Sequence, residues 1–276
     1  MNTIIVIPAR MNSSRLKSKP VRNIGGKPLI QHCYENAVRS GILTVVAGDK
    51  ELYNYIETAK EESAACGGGF SYPELPKMVV VDDPNCFNGT ERVAKAVQLI
   101  SNLSTPGNSQ ITDDTIVVNV QGDNYNLPEL QICRVAEKAR ELAKEGQKST
   151  VVTSHTSLKG DEYGNRNCVK IMVNYNHQAY GFFRGGVSIP DKEDPAAVGI
   201  FKHIGIYAYR YGFLKKYAEH VAEILDDEFT QSLEQLRIWK IGGSICSVWC
   251  EKAVKSIDTF DDLSEANRIA LAEKAI

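Results

Sequence analysis

The sequence lacks the features that mark most large functional classes. Lys+Arg 32 against Asp+Glu 34 leaves a formal charge of -2 over 276 residues. No global positive field exists to hold a nucleic-acid backbone or an anionic membrane, so any phosphate is bound locally. No C-x-x-C pair occurs among the seven cysteines, Cys33, Cys66, Cys86, Cys133, Cys168, Cys246 and Cys250. An odd, scattered set fits reduced core thiols rather than disulfides or zinc, and makes a cytoplasmic location the expectation. Thr3–Ile7 is too short for a signal h-region and has no basic n-region before it. No apolar run approaches the length of a membrane span, so a protein neither secreted nor anchored is expected. Internal repeats and low-complexity tracts are also missing.

What is present is the pattern of an α/β protein. The 43% hydrophobic composition supports a large core, at the upper end of what one domain manages. Short β-branched apolar runs predict strands at Thr3–Ile7, Leu43–Ala47, Met78–Val81 and Ile116–Val120. Between them, helical spacing predicts helices over Pro28–Ser40, Glu51–Glu62 and Glu91–Leu103, with a further helix over Pro128–Glu145. Such alternation means a parallel sheet flanked by helices. Cys66–Pro76 and Ser104–Asp113 read as polar surface loops. The second half is more antiparallel in character, with strands at Thr150–Ser154, Cys168–Asn174, Ala179–Phe183, His203–Arg210 and Ile245–Trp249. Helices are expected over Ser232–Trp239 and from Leu263 to about Lys274. One domain is expected, divided into a first half, 1–148, and a more antiparallel second half, 149–276.

In an open parallel sheet, ligands sit beyond the carboxyl ends of the strands. The loop after the first strand holds Arg10, Arg15, Lys17 and Lys19 among small hydroxyl and amide residues. Arginine forks and mobile lysines there can grip a triphosphate; in an arbitrary position such a loop would be only a solvated basic turn. It carries neither G-x-G-x-x-G nor G-K-[ST], which counts against a dinucleotide fold and a P-loop NTPase. The fourth strand ends Gln121-Gly122-Asp123, placing a carboxylate where it can hold Mg²⁺ against phosphates, or simply cap the next helix. Near the C-terminus, Thr259 to Asp262 suits helix capping, leaving Asp258 as the better ligand. Taken without further context, His203 reads as a satisfied core histidine, and Glu91 and Arg92 as surface charges of a helix start. Tyr207, at i+4 from His203, falls on the same face of an extended strand.

These stretches together resemble the 3-deoxy-manno-octulosonate (Kdo) cytidylyltransferases, also called CMP-Kdo synthetases. The matching segments are Ile7-Pro8-Ala9-Arg10, Ser14-Arg15-Leu16, Lys19-Pro20, Gly26-Lys27-Pro28, Asn88 to Arg92, Asn119 to Asp123, His203 to Tyr207, Leu233 to Arg237, and Ile257-Asp258-Thr259 followed by Asp262-Leu263. Each is weak alone; their order and spacing are specific. The resemblance implies a nucleotide-diphospho-sugar transferase fold, Rossmann-like with a smaller antiparallel lobe, and a homodimer serving lipopolysaccharide biosynthesis. Its implied reaction is attack of a sugar acid's anomeric hydroxyl on the α-phosphate of CTP. It implies that Ala9, Arg10, Ser14, Arg15, Lys19 and Gly89 bind the nucleotide, with Arg10, Arg15 and Lys19 catalytic. Asp123 and Asp258 would hold Mg²⁺, and Arg92, Gln121, His203, Tyr207, Glu234 and Gln235 would surround the sugar acid.

The sequence departs from that pattern in several places. Asn124-Tyr125 stands where the family usually has Glu-Pro. Phe183-Arg184-Gly185-Gly186 stands where a Tyr-Phe-Ser-Arg run is usual, so the Ser-Arg pair reads as lost. Gln231 replaces a common Glu, and Gly69–Pro76 is an unusual insertion. These changes bear on the sugar rather than on the reaction. The competing readings are a cytidylyltransferase for another modified ulosonic acid, a catalytically silent nucleotide-sugar-binding paralogue, and an NAD-dependent oxidoreductase, which the absent glycine fingerprint disfavours.

Overall fold

The computed structural model describes residues 1–13, 15–65, 75–103, 111–186, 196, 199–220, 233–252 and 254–274. Ser14, Gln231, residues 187–190 and most of the 69–76 insertion therefore lie outside the described residues, as does Ser232 at the expected start of a helix. The strands are β1 (Thr3–Pro8), β2 (Asn23–Ile24), β3 (Lys27–Pro28), β4 (Leu43–Gly48), β5 (Met78–Val80), β6 (Ile116–Val120), β7 (Thr150–Thr156), β8 (Lys170–Val173), β9 (Ala179–Phe183), β10 (Ile200–Arg210) and β11 (Ser244–Trp249). The α-helices are α1 (Leu29–Val38), α2 (Lys50–Ala65), α3 (Gly89–Leu103), α4 (Glu129–Lys144), α5 (Tyr211–Glu219), α6 (Leu236–Lys240) and α7 (Phe260–Lys274). The result is the expected α/β architecture, a mixed sheet with flanking helices.

The chain forms two compact units that interleave in sequence. One comprises Ile4–Gln110, Asn119–Glu129 and Val254–Ile276, the other Met1–Thr3, Ile111–Val118 and Leu130–Ala253. In the first, β1, β4 and β5 lie side by side, all parallel. Ile4, Ile5, Val6 and Ile7 are each no more than 3% exposed, and each such side chain contributes about 2 kcal/mol on burial. That complete burial is why β1 reads as an unbroken apolar run rather than an alternating one. α1 ends at Val38, two residues before the expected Ser40, and the chain turns away at Gly41, whose φ of 73° suits the left-handed region. α7 docks on the β2–β3 hairpin: Asn267 Oδ1 accepts from Gly25 N at 3.0 Å and its Nδ2 donates to Asn23 O at 2.9 Å.

In the second unit the strand order is β11-β7-β10-β6, with β8 and β9 added beyond β10. β7–β10, β10–β8 and β8–β9 are antiparallel, but β11 runs parallel to β7, so the antiparallel character expected here is mixed. The pairing of β10 with β7 slips between Ile204 and Ala208, where two extra β10 residues face β7. An even insertion keeps the two-residue side-chain alternation, so His203 and Tyr207 still share a face.

Candidate active site

In the first unit the loop after β1 is a built structure rather than a solvated turn. Ala9 N donates to Ala47 O at 3.0 Å, Met11 N to Asp49 Oδ2 at 2.8 Å, and Ser18 N to Met11 O at 3.1 Å. Ser18 adopts a φ of 53° and leads into a 3₁₀ turn at Lys19–Val21 with Pro20 buried. This places the Lys19 ammonium 2.8 Å from Asp123 Oδ2 and 3.0 Å from Asp258 Oδ1. Arg15 Nη2 reaches the same Asp258 oxygen at 3.1 Å from a half-exposed position. Burial pulls the Lys19 pKa down, but the two facing carboxylates and their hydrogen bonds outweigh it, and it stands above the ordinary lysine value.

The two carboxylates meet because backbone brings them together. Asn124 and Ser256 form a bridge, Ile257 N donates to Asp123 O at 3.0 Å, and Tyr125 N to Lys255 O at 3.1 Å. Gly122 is required here: a Cβ on it would come 2.7 Å from Pro8 O. Asp123 does not cap the next helix, which begins six residues on, at Glu129. Asp262 does serve as a local cap, accepting from Thr259 N at 2.8 Å and Asp258 N at 3.1 Å. That leaves the Asp258 side chain for the basic groups.

Gly89 opens α3, and a Cβ on it would lie 3.3 Å from both Gln121 Oε1 and Pro8 Cγ, so these residues are neighbours. Asn88 and Glu91 form the start of that helix: Glu91 N donates to Asn88 Oδ1 at 2.9 Å, and Glu91 Oε2 accepts from Phe87 N at 2.6 Å. Glu91 and Arg92 are buried, which corrects the reading of both as surface charges. Arg92 Nη1 donates to Val81 O at 2.5 Å. Arg10 is exposed and its side chain makes no ion pair with a described residue; its carbonyl accepts from Ser13 Oγ at 3.4 Å.

In the second unit, His203, Tyr207, Glu234 and Gln235 fall in one aromatic neighbourhood. The His203 ring stands edge-on to Phe182, with centroids 5.2 Å apart, and tilts against Tyr207 at 5.5 Å. Its Nε2 is 2.9 Å from Thr153 Oγ1, a partner that gives no signal in the sequence. Burial, then the charges of Arg184 and His155, pulls the His203 pKa down to about 3, so the ring is neutral. The Tyr207 hydroxyl donates to Gln235 Oε1 at 3.3 Å, and burial holds its pKa well above the ordinary value. Tyr217 Oη donates to Glu234 O at 3.0 Å, and Arg237, fully buried, stacks its guanidinium 4.5 Å over the Tyr217 ring. Arg184, to which the sequence reading gave no role, has a charge that acts on both His203 and Tyr207. Its Nη1 is anchored on Arg166 O and Asn167 O, each at 3.2 Å.

A family model for cytidylyltransferases matches residues 4–252. A 3-deoxy-manno-octulosonate cytidylyltransferase of Vibrio parahaemolyticus is 34% identical over 283 residues, covering 100% of both chains. The chain belongs to the 3-deoxy-manno-octulosonate cytidylyltransferase family. A second member, from Actinobacillus pleuropneumoniae, is 33% identical over 277 residues, covering 98% of this chain and 99% of that one. Among solved structures, a CMP:2-keto-3-deoxy-manno-octonic acid synthetase complexed with CTP superposes with a TM-score of 0.74 at 27% identity, covering 99% of this chain and 100% of that chain. HddC from Yersinia pseudotuberculosis, at 12% identity and a TM-score of 0.57, covers 98% of this chain and 99% of its own and shares the fold alone. Membership makes the chain a nucleotidyltransferase, an enzyme. Among the described residues no helix is long and apolar enough to cross a membrane.

Two histidines, the buried His155 and the half-buried His203, give the second unit a pH-dependent stability. Burial, then the charge of His177, pulls His155 from the ordinary 6.5 down to about 4. His155 and His203 are thus neutral when folded but titrate near the ordinary value when unfolded. Their stabilising contribution is fully present above that value and is lost as pH falls toward about 4 and about 3. At roughly 1.4 kcal/mol per pH unit, acidifying from pH 7 to 5 removes about 2 kcal/mol per histidine. Urea unfolding at both pH values should show this loss, and a His155→Gln variant should show a shallower one. Equal losses in the two proteins would remove His155 from the account.

Proposed function

We propose that this cytidylyltransferase couples the α-phosphate of CTP to the anomeric hydroxyl of an acidic 2-keto sugar, Kdo or a close relative, giving a CMP-sugar and pyrophosphate. The observation that carries the reading is the four-charge cluster of Lys19, Arg15, Asp123 and Asp258 at the loop after β1, in a chain aligned end to end with named Kdo cytidylyltransferases. Phosphoryl transfer of this kind is mostly positioning and charge neutralisation, so no covalent nucleophile is needed. Arg15 and Lys19 take the triphosphate oxygens in this reading, joined by Arg10 from its exposed position, by Ser14, and by the backbone at Ala9 and Gly89.

The residues present fit a divalent ion. Two hard carboxylates, Asp123 and Asp258, converge on one cation, and Mg²⁺ characteristically takes one or two carboxylates and fills its sphere with phosphate and water oxygens. Among the described residues no cluster of three or more acidic, His or Cys ligands competes for it. Such an ion supplies charge neutralisation at the phosphate. Arg92, Gln121, His203, Tyr207, Glu234 and Gln235 bind the sugar acid in this reading, which also holds the enzyme to be a cytoplasmic homodimer. It keeps 1–148 as the nucleotide-binding half and 149–276 as the sugar-binding and dimerisation half, with Asp258 of the latter assigned to the metal and Arg92 and Gln121 of the former to the sugar.

Selectivity for the sugar is expected to be broader than for unmodified Kdo alone. Among the described residues a Cβ on Gly185 or Gly186 would meet nothing within 4 Å, so these two glycines leave open space. A pocket that loses side-chain donors stops rejecting analogues that would leave them unpaired. Catalytic efficiencies for Kdo, for amino-substituted sugar acids and for longer ones should fall within about tenfold of one another, within the range that small pocket contacts discriminate. A preference for Kdo far beyond that range over every analogue refutes the broadened pocket, and absence of pyrophosphate release with CTP and any sugar acid refutes the reaction.

A further inference from the structure

The Thr153 hydroxyl has one proton and several close partners. Its Oγ1 lies 2.8 Å from Ile206 O, 3.4 Å from Ile204 O and 2.9 Å from His203 Nε2. Carbonyl oxygens only accept, so the hydroxyl proton goes to Ile206 O, the shorter of the two contacts. The hydroxyl oxygen is then left to accept, and among the described residues the group placed to donate to it is His203 Nε2–H. Thr153 is itself fully buried on β7, opposite the stretch where β10 slips in register. That slip is what leaves the Ile204 and Ile206 carbonyls near a side chain, and it fixes the hydroxyl's direction.

A neutral imidazole carries one ring proton, so a proton on Nε2 leaves Nδ1 as a bare acceptor. Nε2 to Thr153 is the one hydrogen bond the ring makes among the described residues. Phe182 and Tyr207 hold the ring from two sides, so the lone pair keeps a fixed direction.

We propose that Thr153 is a positioning residue that locks His203 in its Nε2–H tautomer, making Nδ1 a dedicated acceptor for a hydroxyl of the sugar substrate. The tautomer follows from the hydrogen-bond geometry; its use rests on the proposed sugar-acid reading. As an acceptor, His203 selects a hydroxyl donor and repels a carboxylate, so the acid end of the sugar is held by other groups. Nearby cations are the natural choice, and Arg184 is one whose charge, after burial, disfavours protonation of the same ring.

Two-bond ¹H–¹⁵N correlation spectra of the full-length protein report each histidine's tautomer, and a His203→Gln spectrum assigns the signal. The expected result is a protonated Nε2 and an unprotonated Nδ1 at neutral pH. Thr153→Val, which removes the acceptor at nearly constant volume, should give a tautomer mixture and raise the sugar KM about tenfold, the size of one hydrogen bond. The KM for CTP should stay put, and Thr153→Ser should restore both readouts. A protonated Nδ1 in the parent protein, or an unchanged tautomer in Thr153→Val, overturns the lock. A changed tautomer without a change in sugar KM overturns its role in recognition. Should no sugar acid turn over at all, the spectra still decide the lock, while the sugar reading falls on its own.

Discussion

Replacing Asp123 with asparagine is expected to reduce turnover about a thousandfold, the scale on which a single preorganised charge-stabilising group acts in a transition state, while leaving the fold intact. Asparagine is isosteric and Asp123 is partly exposed, so packing is unaffected. Its backbone carbonyl continues to accept from Ile257 N, and Lys19 retains Asp258 as a partner. What disappears, on the proposed reading, is one of two anionic ligands for a divalent ion. Steady-state rates with saturating CTP and sugar acid, beside an unchanged denaturation midpoint, check this. Near-parental turnover in Asp123→Asn at ordinary Mg²⁺ would remove Asp123 from the metal.

Lys19→Met should produce two effects of opposite sign. Without substrate, the cluster is electrically neutral, two carboxylates facing one lysine and one arginine. A divalent ion entering it alone meets two cations already in place, whereas one arriving with a triphosphate brings compensating negative charge. Removing Lys19 unmasks the carboxylates, so the free protein should bind Mn²⁺, a spectroscopic substitute for Mg²⁺, more tightly than the parent. Catalytic efficiency toward CTP should fall, because each charge-assisted contact to phosphate is worth about 1.5–3 kcal/mol, or roughly one to two decades in rate. Electron paramagnetic resonance titration of Mn²⁺ measures the first effect and steady-state kinetics the second. Equal Mn²⁺ affinity in parent and variant would mean that Lys19 does not mask the metal ligands.

β1 and β6 were legible because they are buried on both faces; β6 carries the expected boundaries and β1 runs one residue further. β9 also keeps its expected boundaries, although Tyr180 on it is exposed. The elements that escaped notice are those with little periodic signal. β2 and β3 are two residues each. α5 follows β10 without an intervening turn and starts Tyr-Gly-Phe, residues that favour other conformations. α6 is five residues long, starting later than the expected helix, while α7 starts earlier, at Phe260 rather than Leu263.

Site residues were legible in a different way. Lys19 and Asp258 lie 239 residues apart, and no local spacing shows that they touch; each stood out as a candidate within its own segment, the family resemblance assigned their roles, and only the fold shows the ion pair. Arg92 looked like a surface charge because a helix start favours charged residues, whereas burial and a main-chain acceptor decide its position. Arg184 and Thr153 had no motif to mark them, since the neighbours that give them meaning are on other strands.

The most direct test of the proposed reaction follows the phosphorus atoms. CTP labelled at the α-phosphate, and separately at the γ-phosphate, is incubated with the enzyme, Mg²⁺ and Kdo, and the products are separated. Nucleotidyl transfer predicts all reacted α-label in a CMP-sugar and all γ-label in pyrophosphate, in equal amounts and dependent on the sugar. Gamma-label on the sugar, α-label released as free CMP, or no consumption of CTP with any acidic 2-keto sugar would contradict it.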